Sequence, residues 1–233
     1  MLERILERQN LNEAYKRVKQ NHGAGGVDGM SVEELGEYLA AHKEEILRSI
    51  LDGKYRPRPV RRVEIPKENG KKKRPLGIPT AVDRVIQQAI SQVLTPIYER
   101  KFSQTSYGFR PGRSAHDALR KSLEYIDTGY KYVVDMDLEQ FFDTVNQSKL
   151  IQVLSQEIKD GRVISLIHKY LRAGVIVSKK YEETEMGVPQ GGPLSPLLAN
   201  VLLNELDHEL ESRGHKFVRY ADDSAPRRRN QVA

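Results

Sequence analysis

Lys216-Phe217-Val218-Arg219-Tyr220-Ala221-Asp222-Asp223 is the stretch whose reading decides the fold. Phe217 to Ala221 is rich in strand formers, and two adjacent acids follow. Side-by-side carboxylates repel and cost folding energy unless something offsets them. A hard divalent cation, which takes oxygen ligands, is the usual offset. For two acids alone, a solvated Asp-Asp turn is the plain alternative. A second acidic strand upstream decides against it. Along Tyr132-Val133-Val134-Asp135-Met136-Asp137-Leu138, alternation puts Tyr132, Val134, Met136 and Leu138 on one face and Val133, Asp135 and Asp137 on the other. The apolar face predicts a place in a sheet. Acids near the end of a buried strand are costly to keep without a cation. The two acidic ends must meet in space if they share metal.

Between these strands, residues 148–171 read as helix with a break at Asp160-Gly161, and Val175 to Tyr181 as a short strand or hairpin arm. Gly187-Val188-Pro189-Gln190-Gly191-Gly192-Pro193-Leu194 is a rigid loop opened by glycine, so a ligand could approach its backbone closely. Ser195 as N-cap and Pro196 as first helical residue then predict a helix burying Leu198, Val201, Leu202, Leu206 and Leu210.

Upstream, residues 2–20 read as one or two amphipathic helices. The loop from His22 to Gly29 fails both phosphate-cradle patterns and reads as a turn before a helix capped by Ser31 and Glu34. Thr80 and Asp83 cap a helix with apolar residues from Val82 to Leu94 at core spacing, bounded by Pro96. Tyr107-Gly108-Phe109-Arg110-Pro111-Gly112-Arg113 interleaves aromatics with arginines. That pattern suits single-stranded nucleic acid, and equally a Gly/Pro turn. Ser114 or a neighbour starts a helix through Leu119, Leu123 and Ile126.

The chain carries 38 Lys and Arg against 32 Asp and Glu, a net charge of +6 over 233 residues. Residues 54–74 hold ten of the basic residues and two glutamates, so the other residues sum to −2. Such a concentration fits a polyanion site. Within it, Arg61 to Pro66 and Lys72 to Pro79 read as strands joined through Asn69-Gly70, a strong hairpin signal. Lys72 and Arg74 share a face, and the basic tip and face can grip phosphates of a template or an incoming nucleotide. There is no cysteine, which excludes disulfides and thiolate metal sites and fits a reducing, cytoplasmic setting. No apolar run is long enough to span a bilayer, so no membrane partner is expected. The alternation of helices and strands predicts an α+β fold.

Six motifs carry a family resemblance. Ala24-Gly-Gly-Val-Asp-Gly29, Arg74-Pro-Leu-Gly-Ile-Pro79, Tyr107-Gly-Phe-Arg-Pro-Gly112, Asp137-Leu-Glu-Gln-Phe-Phe142, Pro189-Gln-Gly-Gly-Pro-Leu-Ser-Pro196 and Tyr220-Ala-Asp-Asp223 resemble, in order, those of group II intron-encoded reverse transcriptases, or maturases. The resemblance implies the fingers and palm of a right-hand polymerase, with a helical N-terminal extension and an antiparallel palm sheet. Residues 1–110 would be extension and fingers. Residues 111–233 would be palm, with 148–186 returning to the fingers. It implies catalytic Asp137, Asp222 and Asp223, which with the Leu138 carbonyl would hold two Mg²⁺ ions. Lys67 and Arg74 would hold the triphosphate, Gln190 would lie at the nucleotide sugar, and Phe142 would be the steric gate against ribonucleotides, with Phe141 the alternative. The expected RNA contacts are Arg56, Arg58, Arg61, Arg62, Lys71, Lys72, Lys73, Arg110 and Arg113. Template RNA, intron RNA, a DNA primer and dNTPs are the implied partners, in a bacterial cytoplasm. Retrons and other bacterial reverse transcriptases share some of these motifs.

Two departures qualify the expectation. Family members continue past the acidic turn into an apolar strand, more palm, a thumb and often a maturase or DNA-endonuclease domain. Here Asp223 is followed by the polar Ser224-Ala-Pro-Arg-Arg-Arg-Asn-Gln-Val-Ala233. This tail is not expected to supply a returning strand, so the end after about residue 220 is expected to be displaced, with thumb and maturase domains absent. The strand through Tyr220 would then have an open edge and the bare palm would pair with a second copy. The rival reading is a non-catalytic RNA-binding splicing cofactor.

Overall fold

The structure, a computed structural model, describes residues 1–66, 73–138 and 140–228, with the backbone path alone at residues 74 and 223–228. In chain order the elements begin with α1 (Leu2–Ile5), α2 (Arg8–Gln20), α3 (Leu35–Leu51), β1 (Val60–Pro66), β2 (Lys73–Ile78), α4 (Ala81–Glu99) and α5 (Ala115–Asp127). There follow β3 (Tyr132–Val133), β4 (Met136–Asp137), α6 (Phe141–Thr144), α7 (Gln147–Glu157) and α8 (Gly161–Leu171). The chain continues through β5 (Val175–Val177), β6 (Lys180–Glu182), α9 (Ser195–Ser212), β7 (Lys216–Tyr220) and β8 (Asp223–Arg228). Helices and strands mix as the α+β expectation required. Two compact units result: Met1–Thr95 with Phe142–Ser195, and Pro96–Phe141 with Pro196–Ala233.

The first unit holds a sheet in the order β2-β1-β5-β6. The basic hairpin forms as its pattern predicts: β1 and β2 pair antiparallel from Arg61 opposite Ile78 to Pro66 opposite Lys73. Its Asn69-Gly70 turn lies outside the described residues. Local capping works as the side chains dictate. Thr80 Oγ1 accepts the Asp83 N–H at the start of α4. Ser31 Oγ accepts the Glu34 N–H and the Glu34 carboxylate the Ser31 N–H, but α3 begins only at Leu35, so this pair closes the turn before the helix rather than capping it. The break at Asp160 is an N-cap, its carboxylate accepting the Arg162 N–H. Asp83 is buried, and its oxygens are met by neutral donors. Tyr55 Oη, Thr80 Oγ1 and the Arg58 N–H donate to its oxygens at 2.7, 2.7 and 3.2 Å. Burial outweighs those donors and holds its carboxyl above the usual range. Pro96 does not end α4, which continues to Glu99.

The second unit packs α5 and α9 with a sheet in which β8 is the shared strand: β3 and β4 pair with one of its edges and β7 with the other. Three sequence expectations are corrected here. First, the tail does supply a strand. β8 pairs antiparallel with all of β7, from Tyr220 opposite Asp223 to Lys216 opposite Arg227. Backbone ladders need no apolar side chains, and a two-residue turn sets the register. Pro226, which cannot donate to a ladder, sits opposite the interruption between β3 and β4. Second, the edge of β7 expected to be bare is filled by β8, and its other side is met at Arg219. Residues 105–107 run beside it, with Arg219 N–H donating to Thr105 O and Tyr107 N–H to Arg219 O, both at 2.9 Å. Third, the 132–138 strand is two short pieces, and its apolar face is uncovered at its start: Tyr132 is 58% exposed and Val134 48%, while Met136 and Leu138 are half-buried. The helix start at Ser114 is as expected, a full capping box with Asp117.

Candidate active site

The predicted acids come together through strand register. Met136 lies opposite Ser224 and Asp137 opposite Asp223 across β4 and β8. Tyr220 lies opposite Asp223 across β7 and β8, so Ala221 and Asp222 form the whole turn. Directly opposed residues of an antiparallel pair have Cβ atoms about 5 Å apart, and like charges so placed are destabilising. A cation beside such a pair offsets the repulsion. Every candidate donor is oxygen: Asp137, which is exposed, half-buried Asp222, Asp223 and the Leu138 carbonyl. That is the donor set a hard ion such as Mg²⁺ takes. The Leu138 carbonyl already accepts the Phe141 N–H at 3.2 Å, which leaves it a second lone pair. Among the described residues no three acidic or histidine side chains form a metal cluster; the Asp223 carboxylate is outside them.

The turn is strained. Ala221 has φ 58°, a left-handed backbone that costs a non-glycine residue about 1–2 kcal/mol. Beneath it lies Arg219, fully buried. Its Nε and Nη2 donate to the two Asp207 oxygens at 2.7 and 2.6 Å. Nη1 donates to Asn200 Oδ1 at 2.9 Å and to Ala221 O at 2.8 Å, and Nη2 also donates to Ser106 Oγ at 2.7 Å. Asn200 in turn donates to Gly108 O at 2.9 Å. At Gly108 a Cβ would lie 2.2 Å from the Ala221 nitrogen.

A family profile described as reverse transcriptase (RNA-dependent DNA polymerase) matches residues 65–225. The chain belongs to the reverse transcriptase family. The group II resemblance is borne out by a relative from Lactococcus lactis subsp. cremoris, "Group II intron-encoded protein LtrA". It is 42% identical over 213 residues, covering 88% of this chain and 34% of the relative. "Protein YkfC" of Escherichia coli K12 is 41% identical over 219 residues, covering 91% of this chain and 57% of that one. A solved chain from a "Partial Cas6-RT-Cas1--Cas2 complex" superposes with a TM-score of 0.63 at 26% identity, covering 99% of this chain and 38% of that one. The reverse transcriptase chain thus spans between about a third and somewhat over half of these curated relatives.

In the first unit of the reverse transcriptase, the Gln-Gly-Gly loop is bound to the basic hairpin. Gly77 N–H donates to Gln190 O at 2.6 Å. Gly191 has φ 111°, and a Cβ there would lie 2.6 Å from Gly77 O, so only glycine allows the approach. The Gln190 side chain stays half-exposed. Ser195 Oγ donates to Pro189 O at 2.5 Å and begins α9 rather than capping it. Phe142 is buried, and its carbonyl accepts the Val188 N–H at 2.6 Å. Phe141 is buried as well.

The predicted RNA contacts divide. Arg56, Arg58, Arg62 and Lys73 are exposed, Lys73 paired with Glu64 at 2.8 Å. Arg61 is turned inward and donates twice to Gly25 O, at 3.0 and 2.7 Å. Arg110 is a correction. It is buried and spends its guanidinium on Glu99, Ser103 O and Ser106 O, because the loop needs an internal cation to satisfy its carbonyls. Arg113 is half-buried, donating to Gln104 and lying over the Tyr107 ring. Lys67, Lys71 and Lys72 lie outside the described residues, as does the Arg74 side chain, though Arg74 pairs with Ile65 in the hairpin.

The residues that sequence reasoning missed are Arg219 and its partners. A signal existed. Arg219 interrupts an apolar strand, and Asn200, Asn204 and Asp207 recur at i, i+4 and i+7 on the buried face of α9.

Proposed function

We propose that this chain is the fingers and palm of a group II intron-encoded reverse transcriptase, adding dNTPs to a DNA primer on an RNA template. The first unit is the fingers with its helical extension, and the second is the palm. The observation that carries the reading is the opposed register of Asp137 and Asp223 beside the Ala221-Asp222 turn. Two Mg²⁺ ions held by Asp137, Asp222, Asp223 and the Leu138 carbonyl would supply activation of the primer 3′-hydroxyl and neutralisation of the triphosphate. The protein's own part is positioning and charge. Arg74 and Lys67 bind the triphosphate, Gln190 orients the nucleotide sugar, and Phe142 excludes a 2′-hydroxyl. Exposed Arg56, Arg58, Arg62 and Lys73, with Lys71 and Lys72, hold the phosphates of template or intron RNA, and half-buried Arg113 adds a contact. Among the described residues no helix is long and apolar enough to cross a membrane, in keeping with a cytoplasmic enzyme. Self-association uses the exposed apolar side chains of the second unit, Leu119, Leu123, Tyr132 and Val134 among them.

The test is primer extension on an RNA template with Mg²⁺, using the longest natural chain that contains these residues. Extension lost in Asp137→Asn and Asp222→Ala with RNA binding retained is the expected result. RNA binding with no extension in any form assigns the chain to a splicing cofactor instead.

A further inference from the structure

We infer that Arg219 is a positioning residue for the metal-binding acids, acting with residues 106–108 as the mount of the Ala221-Asp222 turn. The inference rests on the polymerase reading above and adds to it a set of residues that touch no metal.

Arg219 has five N–H donors, and all five are spent: two on Asp207, one each on Asn200, Ser106 and the Ala221 carbonyl. The Ala221 carbonyl belongs to the peptide unit whose nitrogen is that of Asp222. Fixing this oxygen therefore fixes the plane from which Asp222 leaves the turn. Residues 105–107 hold the Arg219 backbone from the other side, through the Thr105 and Tyr107 hydrogen bonds. Gly108 then presses its backbone against the Ala221 nitrogen, at a spacing no side chain allows. Asn200 joins the two halves, accepting from Arg219 and donating to Gly108 O.

This much polar apparatus is not what stability alone would select. A buried ion pair is often no better than apolar residues of the same volume, whereas it does fix one geometry. A fixed geometry is what the acids need. Asp137 and Asp223 occupy opposed positions and repel before a cation arrives, and Ala221 resists its left-handed backbone. Held only by its own hairpin, the turn would relax away from both strains. The Tyr-Gly motif at residues 107–108 thereby gains a role as backbone support rather than as a nucleic-acid surface.

The experiment uses Mn²⁺ as the probe, with binding to this chain followed by electron paramagnetic resonance and folding by circular dichroism and thermal melting. The variants are Asp137→Asn, Arg219→Lys and Gly108→Ala. Lysine keeps a cation for Asp207 but has three donors on one nitrogen and cannot serve five acceptors. Gly108 is outside the left-handed region, so alanine there is opposed by space alone and every guanidinium partner remains. Folded Arg219→Lys and Gly108→Ala chains are expected to bind Mn²⁺ about tenfold or more weakly than the unsubstituted chain, the range seen for groups that orient metal ligands, with RNA affinity unchanged. Should Arg219→Lys fail to fold, Gly108→Ala decides. Mn²⁺ affinity within twofold of the original in folded Gly108→Ala overturns the proposal. Mn²⁺ binding that is indifferent to Asp137→Asn overturns the metal reading itself, and this proposal with it.

Discussion

Asp137 of β4 lies directly opposite Asp223 of β8, although 85 residues separate them in the sequence. The pair is made by β8, the strand that immediately follows the acidic turn and runs between β4 and β7. Because β8 shares register with both neighbours, the hairpin turn and the upstream acid are set by one ladder. Removing charge from Asp137 or from the turn beside its partner is therefore expected to abolish synthesis without unfolding the chain. Asp137→Asn or Asp222→Ala should reduce primer extension by at least about a hundredfold, the scale of losing one preorganised electrostatic group. Single-turnover extension alongside an RNA-binding assay checks it. Extension surviving in either variant removes that residue from the site.

The Arg219 network makes a separate stability prediction. Asp207→Asn leaves a fully buried guanidinium without its carboxylate, and loss of one partner of a buried pair costs about 3–5 kcal/mol. Urea unfolding monitored by circular dichroism should show that loss, with the slope unchanged. A change below about 1 kcal/mol would mean that water reaches the site.

Charge reversal at Arg56, Arg58, Arg62 and Lys73 should weaken RNA binding and flatten its salt dependence. Each phosphate left without its cation should reduce the slope of log affinity against log salt by about 0.7 to 0.9. Arg110→Glu should behave differently, since its partners are Glu99 and loop carbonyls. It is expected to destabilise the second unit and to leave the slope per folded molecule as it was. Filter binding across a salt series separates the two behaviours.

Phe142→Ala is expected to admit ribonucleotides in an active chain, because the 2′-hydroxyl is what distinguishes them at that position. Burial of the ring adds a second consequence, a stability loss of about 3 kcal/mol. Competition between dATP and ATP measures the first effect and thermal melting the second. If selectivity holds while stability falls, the ring is packing only, and Phe141 is the next to test.

Asp83 predicts a pH dependence in the first unit. Its folded-state pKa is raised by burial. Well below the ordinary carboxylate range, folded and unfolded states both carry the proton and Asp83 costs nothing. As pH rises through about 4, the unfolded chain releases its proton first, so stability falls until the folded pKa is passed. Asparagine does not titrate. The stability of Asp83→Asn relative to the original chain should therefore improve between pH 4 and pH 7. A difference independent of pH would show that Asp83 ionises as freely folded as unfolded.

Much of this protein is legible in local residue chemistry. Capping pairs at Thr80 and Ser114 set helix starts because their hydrogen bonds close within three residues, whereas the Ser31–Glu34 pair closes the turn ahead of α3. The basic hairpin follows from alternation and a turn signal, and the six ordered motifs carry the family. The acids were legible as residue types and, through the family resemblance, as one set, though not in their register. Tertiary structure alone decided the rest. Which acid faces Asp137 depends on β8, a polar strand whose place comes from backbone ladders that side-chain patterning does not report. Arg110 and Arg113 look alike in sequence, yet Arg110 is buried because the Glu99 carboxylate and the carbonyls of Glu99, Ser103 and Ser106 converge on it. Arg219 reads as one strand residue among five. It becomes the mount of the turn because α9, the 105–108 segment and the hairpin each bring it a partner, from up to 113 residues away. Hydrogen bonds that span such distances exist only once the chain has folded, so the sequence could name the candidates and the fold had to choose among them.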